Sequence, residues 1–498
     1  MLLEMAADGA PDRVVVGDVA TGLTAVAIME LSRKAAARFR TSGAEYVAFL
    51  GLNSDAVPIA LFGAAFAGIP FVPVSYRATD PQLREILSRV SPAVVVCEQA
   101  EAARLDDLGV ECLITPAELL EPAAGDPVLG ESALADPEAV AVLLFTSGTT
   151  GPPKAAVLRH RHLVSYVVSS VEFMGFGPSE AQLVSVPPYH IAGIAAVLTS
   201  LYGGRRIVYL GGFDAESWVT IVTEQLITQA MVVPTMLGRI LDVLDDAGTE
   251  MASLRHVSYG GGRMPVKLVE RAMQRLPNVD FVNAYGLTET SSTISLLSPQ
   301  DHREAFASAD ESVRKRLGSV GRPLESVEVE IRDIEGHKVP DGQRGEVWVR
   351  GEQVAGEYVG AIGLTPDGWF GTRDGGYLDD AGYLYLDGRL DDMIVRGAEN
   401  ISPGEIEDVL RSHPAVAEAA VFGVPDTEWG EVVAAAVVLA EGADASASEL
   451  QEWVRERLRS TRTPSRVEFR RTLPYTETGK LLRRVLRAEP RSAAASAG

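Results

Sequence analysis

The sequence predicts an α/β protein with a large N-terminal domain and a small α+β C-terminal domain. In the first half of the chain, apolar runs of strand length alternate with amphipathic runs of helix length, which is typical of βαβ units and largely parallel sheets. From about Val327, short apolar runs separated by Gly and Asp predict a smaller antiparallel, β-barrel-like subdomain. At 498 residues the chain is too long for one hydrophobic core, so we expect several domains.

The elements follow from these patterns in chain order. The predicted strands of the first half are Tyr46 to Gly51, Ile69 to Val74, Ala93 to Cys97, Ile207 to Leu210 and Ala230 to Val233. The predicted helices beside them are Thr24 to Arg40, Ala56 to Ala67 and Asp80 to Val90. The predicted antiparallel strands are Val327 to Arg332, Gly345 to Arg350 and Gly382 to Leu386.

A charged segment at 389–392 separates the predicted N-terminal domain (1–388) from the predicted C-terminal domain (393–490). The first predicted helix of the C-terminal domain opens with Ser402-Pro403-Gly404-Glu405, which predicts a capping box with Pro at the first helical position. The predicted elements after it are a helix (Ile406 to Ser412), two strands (Val416 to Val424, Val432 to Leu439) and a helix (Ser446 to Leu458). Residues 491–498 are rich in Ala and Ser and predict a disordered tail.

Composition excludes several classes of protein. The net charge of -23 argues against nucleic acid as the main partner, because binding phosphates requires a basic surface. No apolar run approaches the length that spans a bilayer, and Met1 to Val14 lacks the basic region that opens a signal peptide. The only two cysteines, Cys97 and Cys112, favour a reducing cytoplasm over a disulfide framework. The sequence leaves the oligomeric state open and is compatible with a homodimer.

The apolar run Ala139 to Phe145 predicts a buried strand that leads into a loop rich in Gly, Ser and Thr. The loop is Thr146-Ser147-Gly148-Thr149-Thr150-Gly151-Pro152-Pro153-Lys154. Its glycines allow close approach of the backbone, and its hydroxyl groups and lysine suit a polyphosphate. It is not a Walker A loop, because Ala155 rather than Ser or Thr follows the lysine. The alternative is a flexible surface turn.

A second motif, Asn283-Ala284-Tyr285-Gly286-Leu287-Thr288-Glu289, follows an apolar run. The tyrosine could stack on a base, Thr288 could reach a phosphate, and Glu289 could hold Mg²⁺, which takes few protein carboxylates and several phosphate oxygens. The alternative is a turn with a solvated glutamate. Upstream, Gly260, Gly261 and Gly262 would let the backbone lie flat against a ligand.

Three more polar residues complete the candidate nucleotide site. Asp374, in Thr372-Arg373-Asp374, has the two oxygens needed to accept from both hydroxyls of a ribose. Arg389 would add a contact to the ribose or a phosphate. Thr478-Gly479 predicts a turn that presents Lys480, a compact charge on a flexible stem.

Together these motifs resemble, in order and over most of the chain, those of the adenylate-forming superfamily of acyl-CoA synthetases, peptide-synthetase adenylation domains and luciferases. The chain departs from the family pattern at Ala155, Arg373 and Ala398, where the family usually has Gly. The resemblance implies ATP and Mg²⁺ as ligands, with Tyr285 lining the adenine pocket and Glu289 serving the metal. It also implies that Lys480 contacts the reacting carboxylate and phosphate oxygens, that a mobile C-terminal domain turns about Asp391, and that Gly397 lines the passage for the thiol.

The predicted function is that of an acyl-CoA synthetase, which forms an acyl-AMP from a carboxylic acid and ATP and passes the acyl group to coenzyme A. The resemblance places the acyl pocket at Tyr189, His190, Gly193 and Gly262, and the candidate catalytic residues are Thr146, His190, Glu289 and Lys480. No Asp lies near Gly193 or Gly260 to hold an amine, which disfavours an amino acid substrate, and the chain length favours a small aromatic or short- to medium-chain acid. Two alternatives remain open, a ligase that loads an acyl carrier protein and a nucleotide-binding protein without catalysis.

Overall fold

The computed structural model describes residues 1–105, 108, 110, 112–130, 136–146, 154–396, 399–476 and 481–488, without the side chain at position 400. The helices are α1 (Leu2–Gly9), α2 (Ala25–Thr41), α3 (Ala56–Ala67), α4 (Asp80–Arg89), α5 (Gln99–Ala102), α6 (Pro116–Leu120), α7 (His160–Ser170), α8 (Ile191–Gly203), α9 (Ala215–Glu224), α10 (Pro234–Ala247), α11 (Val266–Arg275), α12 (Pro299–Ala307), α13 (Glu311–Arg314), α14 (Pro403–Arg411), α15 (Ala447–Arg457) and α16 (Arg483–Ala488). The strands are β1 (Val14–Val16), β2 (Leu23–Thr24), β3 (Tyr46–Leu50), β4 (Phe71–Val74), β5 (Ala93–Cys97), β6 (Cys112–Ile114), β7 (Val140–Thr146), β8 (Lys154–Arg159), β9 (Ala181–Val184), β10 (Arg206–Tyr209), β11 (Gln229–Val232), β12 (His256–Gly260), β13 (Asp280–Leu287), β14 (Ser292–Leu297), β15 (Arg322–Pro323), β16 (Glu328–Arg332), β17 (Gly345–Arg350), β18 (Glu357–Tyr358), β19 (Ala361–Ile362), β20 (Phe370–Leu378), β21 (Leu384–Arg389), β22 (Ile394–Arg396), β23 (Glu399–Ile401), β24 (Val416–Asp426), β25 (Gly430–Leu439) and β26 (Arg466–Phe469).

Two large, mainly parallel sheets form most of the N-terminal part, as the alternating pattern predicted. One has the strand order β19-β18-β8-β7-β4-β3-β5-β6, and the other has the order β15-β14-β13-β12-β11-β9-β10-β1-β2. In the first sheet β3 pairs in parallel with β4 and β5, and in the second β12 pairs in parallel with β11 and β13. The predicted α/β class is therefore confirmed.

The largest apolar core lies between these two sheets. It joins residues of β3, β5 and β7 in one sheet to residues of β9 and β10 in the other, through helices that include α2, α3 and α8. Helix α3 is apolar on all sides, and every residue from Ala56 to Ala64 is buried. A helix with this composition is stable only between layers, since it has no polar face to turn to water.

The loops at the carboxyl ends of the strands of both sheets are brought together by a buried asparagine. Asn53 follows β3, and its side-chain amide lies 3.1 Å from the carbonyl oxygen of Val186 and 3.3 Å from that of Leu210, just beyond β9 and β10. Ligands of open α/β sheets bind outside the carboxyl ends of the strands. The two sheets thus share one edge at which a site can form.

A smaller antiparallel sheet with the order β16-β17-β20-β21 follows, as the change in pattern near Val327 predicted. Beyond residue 392 a separate sheet, β23-β22-β25-β24 with β26 parallel to β25, packs against α14 and α15. No helix in the described part of the chain is both long and apolar enough to cross a bilayer.

The capping box predicted at Ser402 is wrong, although Pro403 does begin α14. The Ser402 hydroxyl does not cap the helix and instead donates to the carbonyl oxygen of Asp387, at 2.6 Å. Glu405 pairs with Arg462, at 2.7 Å. A long-range partner for each side chain has replaced the local pairing that the sequence pattern suggested.

Candidate active site

Three of the predicted nucleoside-binding residues form one hydrogen-bonded group. Tyr285 on β13 donates its hydroxyl to Asp374 Oδ2 on β20, at 2.6 Å. Arg389 on β21 lies opposite Asp374 in the sheet register, and its Nη1 lies 3.2 Å from Asp374 Oδ1. Asp374 is only 6% exposed, so its carboxylate is fixed in direction. Each carboxylate oxygen keeps a further lone pair, which suits it to accept from the two adjacent hydroxyls of a ribose.

Burial and charge keep the two partners of Asp374 as hydrogen-bond donors. Burial raises the pKa of Tyr285, and the neighbouring Asp374 carboxylate raises it further, so the phenol stays protonated and remains a donor. Burial lowers the pKa of Arg389, but the Asp374 carboxylate and the neighbouring Tyr285 and Glu289 together raise it, and the net change is a rise. A neutral donor and a permanent cation therefore hold one carboxylate at the edge of the site.

Glu289 lies in a single 3₁₀ turn, Thr288–Thr290, directly after β13. Its Oε1 accepts the hydroxyl of Tyr358, at 2.6 Å, and its backbone oxygen accepts from the amides of Ala355 and Gly356. Burial, followed by the Glu289 charge, raises the pKa of Tyr358, so this tyrosine also remains a donor. Glu289 Oε2 accepts no hydrogen bond from the described residues.

These contacts fit the requirements of Mg²⁺. Within the described residues no three His, Cys, Asp or Glu side chains cluster as a metal cage. Mg²⁺ in phosphate-transfer sites takes one or two carboxylates and completes its shell with phosphate oxygens and water. A single oriented carboxylate with a free oxygen, as at Glu289, matches that donor set.

Tyr358 is a site residue that the sequence analysis missed. Besides holding Glu289, its ring lies 5.5 Å from Lys154 Nζ, and so it connects the two predicted motifs. It comes from the two-residue strand β18 and belongs to no local pattern that could have singled it out.

The two ends of the predicted phosphate loop lie side by side. Thr146 ends β7, Lys154 begins β8, and the two residues are opposite each other in an antiparallel pair. The Thr146 hydroxyl lies 3.3 Å from the backbone oxygen of Lys154. The predicted loop residues Ser147, Gly148, Thr149, Thr150 and Gly151 lie outside the described residues, as do Gly397 and Lys480.

The glycine-rich segments allow β12, β13 and β14 to approach closely. A side chain at Gly260 would clash with the backbone oxygen of Ala284, and one at Gly286 would clash with that of Ser292. Gly261 and Gly262 follow in the turn after β12. The Asn283 amide donates to the carbonyl oxygen of Ser319, at 2.9 Å, and this bond fixes the strand beside the site.

The predicted acyl-pocket residues lie at the start of α8. His190 is the residue before the helix, and the Tyr189 ring packs against Tyr76 with 6.1 Å between ring centres. A Cβ at Gly193 would lie 2.6 Å from the backbone oxygen of Pro187, so this glycine lets the preceding loop fold onto the helix. The loop that carries Tyr189 and His190 is thus held against α8.

The predicted hinge residue, Asp391, lies in the 3₁₀ turn Leu390–Asp392. Arg373 Nη2 contacts Asp391 Oδ1 at 2.8 Å. Arg373 stands where the resemblance calls for Gly, and its φ of 62° lies in the left-handed region that Gly favours. The chain thus keeps the backbone shape expected of Gly with an arginine that reaches the hinge.

Comparisons with known proteins agree with this arrangement. The family model described as "AMP-binding enzyme" matches residues 3–359, and the model of the "AMP-binding enzyme C-terminal domain" matches residues 405–480. The chain belongs to the AMP-binding enzyme family.

Its relatives include a feruloyl-CoA synthase from Amycolatopsis sp, 34% identical over 474 residues that cover 93% of both chains. A fatty acid–[acyl-carrier-protein] ligase, ScoC, from Streptomyces coeruleorubidus is 33% identical over 464 residues, which cover 89% of this chain and 86% of the relative. Among solved structures, the o-succinylbenzoate CoA synthetase MenE from Bacillus subtilis, in complex with its acyl-adenylate intermediate, has a TM-score of 0.85 at 28% identity, and the match covers 98% of both chains. The same enzyme has also been solved with ATP and a magnesium ion.

Proposed function

We propose that this protein is an ATP-dependent, AMP-forming acid–thiol ligase that makes acyl-CoA thioesters. The observation that carries the proposal is the Tyr285–Asp374–Arg389 group, which offers a fixed carboxylate to a ribose beside the oriented carboxylate of Glu289. Relatives that make CoA thioesters, over nearly the whole chain, support the choice of reaction.

In the first step a carboxylate oxygen of the acid bonds to the α-phosphorus of ATP while the bond to pyrophosphate breaks. The protein contributes mainly positioning and stabilisation of charge. Asp374 would hold the ribose, and the loop from Thr146 to Lys154 would hold the phosphates. Glu289 would hold Mg²⁺, which when bound supplies neutralising charge to the phosphate oxygens. Lys480 would contact the charge that develops on the reacting oxygens.

In the second step a thiol loses its proton to solvent, its sulfur bonds to the acyl carbon, and AMP leaves. We propose that the C-terminal domain, 393–490, turns about Asp391 between the steps, which withdraws Lys480 and brings Gly397 to the thiol passage. None of the apolar clusters formed by described residues includes side chains from both sides of residues 389–392. Polar contacts join the two parts instead, such as Arg263 with Asp408 and Ser402 with Asp387. An interface of this kind can separate at small cost.

A second acceptor, the phosphopantetheine arm of an acyl carrier protein, is favoured by the likeness to ScoC. Every residue discussed above would serve either acceptor. We also infer a cytoplasmic location, supported by two cysteines without a disulfide, and the oligomeric state stays open to a homodimer.

The direct test is pyrophosphate release over a panel of carboxylic acids, followed by product analysis with coenzyme A or a phosphopantetheinylated carrier protein as acceptor. We expect acid-dependent pyrophosphate release and a CoA thioester. A thioester found only on the carrier protein would favour the second acceptor, and no pyrophosphate with any acid would contradict the proposed function.

A further inference from the structure

A buried ion pair that has no role in the steps above lies inside the C-terminal domain. Glu407 on α14 is only 3% exposed, and its Oε1 lies 2.6 Å from Nη2 of Arg483, the first residue of α16. The same oxygen accepts the backbone amide of Val421 on β24, at 2.8 Å. Breaking such a pair would leave a buried charge without compensation, which is strongly destabilising. The contact therefore fixes the start of α16 to the body of the domain.

Both members of this pair keep their charge. Burial raises the pKa of Glu407, but the charges of Arg483 and Arg411 and a backbone hydrogen bond together lower it, and the net change is a fall. Burial lowers the pKa of Arg483, but the carboxylates of Glu407 and Asp392 together raise it, and the net change is a rise. Arg483 is therefore a permanent cation with two anionic partners.

The second anionic partner lies in the turn that carries the hinge. Arg483 Nη1 lies 3.3 Å from Oδ2 of Asp392, and its Nε donates to the backbone oxygen of Val421, at 2.9 Å. One turn further along α16, Arg487 donates to the backbone oxygen of Asp392, at 3.3 Å. Asp392 is thus held to the C-terminal domain by its side chain and by its backbone.

The preceding residue, Asp391, is held to the other domain. Its partner is Arg373 on β20, and the side chains of Arg373 and Asp391 are 58% and 41% exposed. The side chains of Arg483 and Asp392 are only 17% and 16% exposed. An exposed ion pair contributes little to stability, whereas a sheltered pair is screened much less by salt. The Asp391 contact is therefore the one that can open at small cost, and the Asp392 contact is the one that persists.

The segment that follows Lys480 in the sequence leads directly to the same arginine. Leu481 forms an antiparallel bridge with Tyr475, and the next amide donates to the backbone oxygen of Pro474, at 2.8 Å. Arg483 comes two residues after Leu481. The arginine that holds the hinge turn is thus three positions from the lysine, and the backbone between them is hydrogen-bonded.

We infer that Arg483 is a positioning residue for Lys480, because it ties the segment that bears the lysine to Asp392, the residue directly after the pivot. A rotation at Asp391 is then passed to a side chain 89 positions away in the chain. The inference rests on the proposed function and deepens it. Gly397, proposed for the second step, follows the hinge directly in the sequence and does not depend on this tether.

The test changes Asp392, because a change at Arg483 would leave Glu407 buried without its partner. Asp392→Ala removes the tether and keeps the buried pair, and Asp392→Asn keeps an acceptor but loses the charge. Adenylation is measured by acid-dependent pyrophosphate exchange, and the second step by thioester formation from preformed acyl-adenylate. Asp392→Ala should slow adenylation about tenfold or more, because small misplacements of a reacting group are costly. Asp392→Asn should slow it less, and thioester formation should be retained in both variants.

The decisive measurement repeats the substitution in a protein that lacks the lysine. In Lys480→Ala, the further change Asp392→Ala should slow adenylation by no more than about twofold, because the side chain that it would misplace is already absent. A purely structural role would give the same loss with and without the lysine. Asp444→Ala, at an exposed residue between β25 and α15, is the matched control and should leave both steps unchanged.

An equal loss of adenylation from Asp392→Ala with and without Lys480 would overturn the inference and leave the proposed function intact. Unchanged adenylation in Asp392→Ala would overturn it too. An equal loss in both half-reactions would place the effect in the hinge itself and would also overturn it. If the wild type showed no acid-dependent pyrophosphate exchange, the proposed function would fail and the inference with it.

Discussion

Asp374, which a sequence motif predicted as a site residue, is held in place by residues distant in the chain. The sequence predicted it as the acceptor for a ribose, and the structure adds Tyr285 and Arg389, which hold its two oxygens. Tyr285 lies 89 positions away in the chain, so no local pattern predicts the contact. A carboxylate held in this way needs no reorientation when a nucleoside binds, which is the basis of preorganisation.

Arg373 gives a residue-scale prediction about stability. It occupies the left-handed region inside β20, which costs a residue with a side chain about 1–2 kcal/mol. Its ion pair with Asp391 is largely exposed and offsets little of that cost. We therefore expect Arg373→Gly to be more stable than Arg373→Ala by about 1 kcal/mol, as measured by urea denaturation.

This order reverses the usual one, because Gly inside a strand is normally about 0.5–1 kcal/mol less stable than Ala. Gly382→Ala supplies a control at an exposed turn with φ of 79°, where Ala should again be the less stable residue. If Arg373→Ala equalled or exceeded Arg373→Gly in stability, the backbone strain assigned to this position would be wrong.

At the scale of elements, the sequence predicted most of the helices and strands that position the site. Helix α3 and strand β5 begin and end where the apolar patterns placed them, because burial on both sides produces a continuous apolar run. Strand β17 also has the predicted bounds, although its burial alternates along the strand. The capping box at Ser402 failed for the opposite reason. A local motif was consistent with the sequence, but a contact with Asp387, 15 positions away, was the one formed.

The same limit explains why Tyr358 was missed. Tyr358 lies in a two-residue strand, and its contact with Glu289 joins residues 69 positions apart. Such contacts depend on the packing of whole elements, which short-range patterns do not encode.

Helix α7 gives a prediction about pH at the scale of one element. Within its first turn His162 accepts the Arg159 backbone amide at Nδ1, and its Nε2 is buried without a partner among the described residues. Burial, and then the charges of Arg161 and Arg159, lower its pKa to about 4. In the unfolded chain its pKa is about 6.5. At a pH between these two pKa values, the unfolded state binds more protons than the folded state. The free energy of unfolding therefore falls as the pH falls.

From His162 alone we expect the free energy of unfolding to fall by about 2 kcal/mol between pH 7.5 and pH 5. Denaturation curves of the wild type and His162→Gln over that range measure the loss, and the variant should show a correspondingly smaller slope. His337→Gln, at a side chain that is 80% exposed, is the control and should change the slope far less. The same slope in the wild type and in His162→Gln would show that His162 does not titrate as a buried neutral group.

At the scale of the whole molecule, we propose that the two half-reactions use two orientations of the C-terminal domain. If Lys480 serves only the first step, Lys480→Ala should slow adenylation about 10²-fold or more, the usual effect of losing one key charge-stabilising donor. Thioester formation from preformed acyl-adenylate should remain. Lys338→Ala, at an exposed lysine beside Glu330, should affect neither step. An equal loss in both steps would contradict the division.

The hinge makes a separate prediction. Proline at position 391 would fix φ near -65° and limit the rotation that the second step requires. Asp391→Pro should therefore slow one half-reaction selectively. Adenylation is measured by pyrophosphate exchange, and the second step is measured by thioester formation from preformed acyl-adenylate. Asp380→Pro, in the exposed turn before β21, controls for a general effect of proline. Unchanged activity of Asp391→Pro in both steps would remove this residue from the mechanism.

The central claim is that Mg-ATP binds with its ribose on Asp374 and its phosphates between Glu289 and the loop that joins Thr146 to Lys154. Isothermal titration of the wild type and of Asp374→Asn with magnesium and a non-hydrolysable ATP analogue tests it most directly. We predict one saturable site in the wild type and affinity about tenfold or more weaker in the variant, because a charge-assisted hydrogen bond is lost. No binding by the wild type, or equal affinity of the two proteins, would contradict the account.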